Sequence, residues 1–189
     1  DLAYARTQLA ADAHAWSPES DEKLIWLFGY LFSTVERVQT AYISSYDTKH
    51  RKIGIEGSSD ASHAQYVTGH GHTARYTRLV GPLTNVPVKF KSKKCTRVAT
   101  SSGANELNGM HEVTKDVILA DAMVSAYTGY ENIPQTLVSD AQAALALIKT
   151  PSISKSRYWT MRATHKVDLG WLRDYWRAQG RDAVWKDGK

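Results

Sequence analysis

A single cysteine, Cys95, in 189 residues excludes an intramolecular disulfide and leaves a thiolate zinc site without its ligands. A reducing, intracellular setting is therefore the expectation. No apolar run approaches the roughly 20 residues that a membrane-spanning helix needs, and the first residues carry no signal-peptide pattern, so no membrane partner is expected. An initiator methionine is also missing. The start at Asp1-Leu2-Ala3-Tyr4 is what a piece cut from a longer chain would show. Internal repeats and low-complexity stretches are absent as well.

What is present points to a packed globule. Hydrophobic residues make up 42% of the chain and six of its residues are Trp, well above what a disordered chain carries. The net charge of +5 and a pI near 9.2 favour an anionic partner. Position sharpens that reading. Lys89, Lys91, Lys93 and Lys94 fall within six residues, and on a strand Lys89, Lys91 and Lys93 share one face at intervals of about 7 Å, comparable to phosphate spacing. A solvated surface would show the same run.

Residues 1–50 read as helical. Leu2, Ala5 and Leu9 share a helix face, Ser17-Pro18 is a helix start with Ser17 as N-cap, and Leu24, Leu27, Phe28, Leu31 and Phe32 form a stripe. A hairpin-like stretch follows from residue 38 to 45. From residue 51 the order is strand (52–59), strand (72–80), strand (86–93), long helix (102–127), strand (135–139), helix, and a last helix opening at Asp168. The long helix buries Leu107, Met110, Val113, Val117, Ala120 and Val124. A three-stranded antiparallel meander, a helix, and a strand parallel to the first give an α/β fold with a mixed sheet flanked by helices.

Four carboxylates stand at the junctions of these elements: Asp60, Glu106, Asp140 and Asp168. Each has an ordinary reading alone. Asp60 suits a turn, Glu106 a solvated helix face, and Asp140 and Asp168 helix N-caps. Strand four beside strand one would nevertheless bring Asp60 and Asp140 to neighbouring carboxyl-terminal ends, where open α/β sheets place their sites, with Glu106 facing the same edge. Carboxylates gathered so closely repel one another unless cations neutralise them. Two Mg²⁺ or Mn²⁺ ions would do so, and such a pair clamps the attacking and leaving oxygens of a phosphodiester.

Several stretches resemble the tail of a copia-type retrotransposon polyprotein, the reverse transcriptase connection segment followed by ribonuclease H. Asp1-Leu-Ala-Tyr-Ala-Arg-Thr-Gln-Leu-Ala is similar to the family's "PDIAYAVNQLA", and Leu27-Phe-Gly-Tyr-Leu-Phe-Ser-Thr to "RILRYLKGT". Ser59-Asp60-Ala61 matches "SDA", and Phe90-Lys-Ser-Lys-Lys94 resembles "WKSKK". Val98-Ala-Thr-Ser-Ser-Gly-Ala-Asn-Glu106-Leu resembles "VALSSTEAEY", and Ser139-Asp140-Ala-Gln-Ala-Ala resembles "DNQAA". The family's Thr-Glu-Ala-Glu is Gly103-Ala104-Asn105-Glu106 here. Its "KHIDIRYHFIRE" aligns in two ways, either keeping the fourth acid as Asp168 or replacing it with Thr160. Asp168 is favoured because the stripe Leu169, Leu172, Trp176 follows it.

The resemblance implies a helical connection segment over 1–50 and a ribonuclease H-like domain over 51–189 that cleaves the RNA strand of RNA–DNA hybrids. It implies a cytoplasmic particle or nuclear location and a reverse transcriptase domain of the same polyprotein as partner. Asp60, Glu106, Asp140 and Asp168 would be the catalytic metal ligands. Lys89, Lys91, Lys93, Lys94 and Ser102 would contact nucleic acid, and His165 would assist product release. A catalytically eroded copy that only binds or scaffolds is the alternative. A transposase or integrase fits less well, because its acids run Asp, Asp, Glu. The Gly69-His70-Gly71-His72 run is expected to form a turn, since no further ligands stand at zinc spacing.

Overall fold

Alternation along one strand sets the centre of the molecule. In the computed structural model, which describes residues 2–150 and 161–187, strand β1 (Gly54–Ser62) buries Ile55, Gly57, Ser59 and Ala61 and turns Glu56, Ser58 and Asp60 to the other face. Antiparallel to it runs β2 (His72–Val80), and antiparallel to β2 runs β3 (Asn85–Lys94). On its other side β1 pairs in parallel with β4 (Gln135–Ser139), which pairs in parallel with β5 (Arg181–Trp185). The sheet order β3-β2-β1-β4-β5 is the mixed α/β arrangement that the sequence led us to expect of a ribonuclease H-like fold.

The helix α4 (Ser102–Thr128) crosses the buried face of β1 and β2. Its expected stripe is enclosed: Leu107, Met110, Val113 and Val117 are fully buried, Ala120 nearly so, and Val124 packs at the edge of the core. The approach is close because Gly57 carries no side chain. A Cβ there would stand 2.6 Å from Val117 Cγ2, nearer than real Cβ contacts allow. Ser101 caps the helix, its hydroxyl accepting from the Ala104 amide. The remaining helices α5 (Gln142–Lys149), α6 (Met161–His165) and α7 (Leu169–Trp176) complete this layer, with Leu145, Ile148, Met161 and Leu172 in the same core.

Three features differ from the sequence reading. Strand β1 does not stop at residue 59: Asp60, Ala61 and Ser62 still pair with Ala74, Thr73 and His72, because Ala61 keeps the buried alternation going. A fifth strand exists, β5, which is short and opens on Arg181-Asp182, so it carries too little alternation to be read from sequence. The hairpin-like stretch of residues 38–45 is instead an extended segment with one isolated bridge, Tyr42 to Asn85, leading into α3 (Ser45–Lys49).

At the amino-terminal end α1 (Leu2–Asp12) packs on α2 (Pro18–Ser33) and on β3, with the Thr7 hydroxyl donating to the Ser92 carbonyl at 3.0 Å. Ser17 and Ser20 form the capping box of α2. Along α2 the apolar residues Ile25, Trp26 and Phe32 remain exposed. Among the described residues no helix is long and apolar enough to cross a membrane.

The short helix α3 belongs with the sheet. Its Asp47 is wholly buried, and one carboxylate oxygen accepts from the Leu83 amide and the Thr84 hydroxyl, both at 2.8 Å, in the β2–β3 turn. The Tyr130 hydroxyl donates to the Thr48 carbonyl across the fold. A division of the chain at residue 50 therefore cuts away part of what the sheet rests on. Deleting residues 1–43 should preserve a cooperative thermal transition, whereas deleting residues 1–50 should abolish or broaden it. Asp47→Ala should cost about 3 kcal/mol in urea unfolding, since it strands buried donors.

Candidate metal and nucleic-acid site

Parallel pairing sets two acids level. Ser58 of β1 stands opposite Val138 of β4, so Asp60 and Asp140, each two residues further along, leave the sheet at the same height. Helix α4 enters from the other face, and Glu106 in its second turn reaches the same edge. The three side chains each offer a carboxylate oxygen, and these atoms all lie within 4.8 Å of one another. Asp60 and Asp140 are exposed to solvent, while Glu106 is half-buried.

Glu106 is the most perturbed of the three. Burial, then the charges of Asp60 and Asp140, push its pKa up to about 7, against a backbone hydrogen bond from Ala61 that stabilises the charged form. Its Oε2 is enclosed and has no hydrogen-bond partner among the described residues. An enclosed carboxylate oxygen without a donor, aimed among two more carboxylates, is the ligand set that a hard divalent cation such as Mg²⁺ or Mn²⁺ takes. The residues present therefore fit such an ion.

No protein-family model matches the chain, and no curated protein matches it. Solved structures do resemble it. A ribonuclease H1 isolated from compost by a metagenomic approach aligns at 10% identity over 71% of this chain and 85% of that one, with a TM-score of 0.48; it is also known in complex with an RNA/DNA hybrid. The prototype foamy virus protease-reverse transcriptase aligns at 13% identity over 95% of this chain and 20% of that one, with a TM-score of 0.42. The N-terminal ribonuclease H domain of a Mycobacterium tuberculosis protein aligns at 9% identity over 71% of this chain, 84% of that one, at a TM-score of 0.41.

Asp168 is not among the three grouped acids. It is the N-cap of α7, where its Oδ1 accepts from the Trp171 amide at 3.0 Å and its Oδ2 lies 3.6 Å from Arg162 Nε. The competing position, Thr160, lies outside the described residues. His165, at the end of α6, lines a small cavity of about 170 Å³ with Arg97, Asn108 and Lys166. Ser102 is exposed at the start of α4.

The lysines divide. Lys89, Lys91 and Lys93 do share one face of β3, but Lys89 Nζ is held 2.6 Å from Asp116 Oδ1 on α4. Asp116 also pairs with Arg75 of β2 at 2.6 Å, and Arg75 reaches Glu112 at 3.0 Å. Lys91 and Lys93 stay exposed, and Lys94 on the opposite face lies over the Tyr66 ring at 4.6 Å. A groove of about 570 Å³ runs along that face, walled by Tyr4 of α1, Tyr76, Phe90 and Val138 and opening on Asp60 and Asp140. Neither this groove nor the Arg75–Asp116 pair has a sequence signal, because both join side chains from elements far apart in the chain. His72, buried between the Tyr66 and Ser92 hydroxyls at 2.8 and 2.6 Å, is held below its ordinary pKa by burial, with Asp60 pulling the other way. It serves the β2 end of the sheet as a hydrogen-bonding core residue.

The raised pKa of Glu106 has a sign that can be measured. A carboxyl that is harder to ionise folded than unfolded binds extra protons in the folded state, so stability falls as pH rises from the ordinary 4.5 to about 7. In chelator, Glu106→Gln should raise the melting temperature above neutral pH and leave it nearly unchanged below the ordinary carboxylate range. Equal effects at both pH values would mean that Glu106 is not strained by its neighbours.

Proposed function

We propose that this chain is a metal-dependent endonuclease that hydrolyses the RNA strand of RNA–DNA hybrids, as part of a copia-type retroelement polyprotein that also carries a reverse transcriptase. The observation that carries this reading is the convergence of Asp60, Glu106 and Asp140, with the Glu106 Oε2 enclosed and unpartnered. Glu106 and Asp60 would hold one divalent ion, Asp60 and Asp140 would share the other, and Asp168 would border the second. When bound, such ions lower the pKa of a water and stabilise the leaving oxygen.

The chain's own residues supply the rest. Asp60 and Asp140 stand at the exposed lip of the cluster, where an incoming phosphate can reach them, and Glu106 closes its base. Lys91 and Lys93 are free of ion pairs to protein carboxylates among the described residues and are exposed along β3, suited to phosphates. Lys89 is committed to Asp116 and would hold the strand to α4 rather than bind nucleic acid. Selectivity for hybrid would rest on 2′-hydroxyl contacts across a wide minor groove. His165 would assist release of the cleaved product. The exposed Ile25, Trp26 and Phe32 of α2 would meet the polymerase domain, since scattered solvent exposure rarely concentrates three large apolar groups on one helix.

One observation favours a second reading, an eroded copy that binds hybrid without cutting it: Asp168 is engaged as a helix cap beside Arg162 and is not one of the three grouped acids. Gel assays on labelled hybrid, duplex DNA and duplex RNA decide between the two. The nuclease should cut only the RNA of the hybrid, leaving 3′-hydroxyl and 5′-phosphate ends, and should stop in chelator. Asp60→Asn should cost more than the roughly 10–100-fold typical of an outer-shell partner, with hybrid binding kept. Binding without turnover, unchanged in Asp60→Asn, would establish the scaffold instead.

A further inference from the structure

The residue before Glu106 has a part that neither its neighbours nor the acid cluster requires. Asn105 is 1% exposed, and its Nδ2 donates to the Ser62 carbonyl at 3.1 Å. Ser62 is the last residue of β1, two positions beyond Asp60, and its pairing with His72 is where the β1–β2 ladder ends. The Asn105 amide thus supplies a hydrogen bond at the point where the strand partner runs out. Burying an amide is unfavourable without such a partner, and an alanine would fill a tight helix–strand contact at no polar cost.

The opposing backbone is shaped around that amide. Gly71 has its carbonyl fixed by the Cys95 amide at 2.8 Å, and a Cβ on it would meet Asn105 Nδ2 at 2.0 Å and the Ser62 carbonyl at 2.4 Å. Only glycine fits. Three segments therefore close on one side chain: the end of β1, the start of β2 and the second turn of α4. Two of them carry grouped carboxylates, Asp60 and Glu106.

We propose that Asn105 is a positioning residue that sets the separation of the Asp60 and Glu106 carboxylates, and through it the affinity of the site for a divalent cation. The inference rests on the metal-dependent reading above and assigns part of its affinity to this residue. Asn105 does not touch the ion or the substrate. It holds α4 against the end of β1, so that the two carboxylates keep their spacing before any ion arrives.

Mn²⁺ binding to the whole chain, followed by electron paramagnetic resonance, is the test. Asn105→Ala and Asn105→Leu, the second keeping most of the side-chain volume, should each weaken Mn²⁺ binding roughly tenfold or more. In hybrid cleavage the metal concentration for half-maximal rate should rise by the same factor, with the KM for hybrid unchanged. Val113→Ala, a core truncation two turns along the same helix, should lower the melting temperature while leaving metal affinity alone. If wild-type protein binds Mn²⁺ and both Asn105 variants match it within about twofold, Asn105 is only a packing residue and this inference falls while the nuclease reading stands. If wild-type protein takes up no Mn²⁺, both fall.

Discussion

The close seating of α4 on β1 is the constraint from which the rest of the structure follows. Gly57 removes the side chain that would hold the helix off, and Gly109 lets Ser59 approach from the strand. Seated this deeply, α4 buries an unbroken apolar stripe and brings its second turn down to the level of the sheet edge. A helix riding higher would leave Glu106 beyond reach of Asp60, and the parallel pairing of β1 with β4 would then align only two acids. Packing and candidate chemistry are in this sense one geometric fact.

Electrostatics divides along the same helix. Toward its amino-terminal end, three acids crowd one edge, and among the described residues no cation pairs with Glu106. Further along, Asp116 is also buried, yet Arg75 and Lys89 meet it at 2.6 Å each. Breaking a buried pair of this kind leaves an uncompensated charge, which is strongly destabilising. One buried carboxylate is thus satisfied from β2 and β3 and fastens the antiparallel half of the sheet to the helix. The half-buried Glu106 instead turns an unpartnered oxygen toward the exposed Asp60 and Asp140. This contrast distinguishes Asp116, which ties the sheet to the helix, from Glu106, whose nearest charges are two more carboxylates.

Much of this was legible in the sequence, for physical reasons. The meander, the long helix and the parallel fourth strand carry strong periodic patterns, and local capping at Ser17 and Ser101 fixes helix starts. Asp60, Glu106 and Asp140 could be named because topology, rather than fine packing, brings them together. What sequence could not supply depends on tertiary contact. Lys89 looked like its neighbours Lys91 and Lys93 until Asp116 was found beside it. Asp47 read as part of an amino-terminal appendage, yet it is tied to a turn some 36 residues away. Strand β5 gains its identity from β4 beside it, because Ala183 alone is buried within it. Asn105 stood out only as a departure from the Ala of the resembling stretch, and its reason lies in Gly71, just ahead of β2.

That pairing of Asn105 with Gly71 gives substitution at these two positions a direction. Asparagine can give way to alanine first, because losing the amide opens space and removes one of the two groups that exclude a side chain at residue 71. The opposite order passes through a chain in which a new Cβ meets both Asn105 and the Ser62 carbonyl at less than contact distance. Part of that conflict, with the carbonyl at 2.4 Å, persists even after Asn105 has gone. Lineages descending from this sequence can therefore drift away from asparagine far more readily than from glycine, and a descendant that has lost the amide will still carry Gly71 as the trace of the contact.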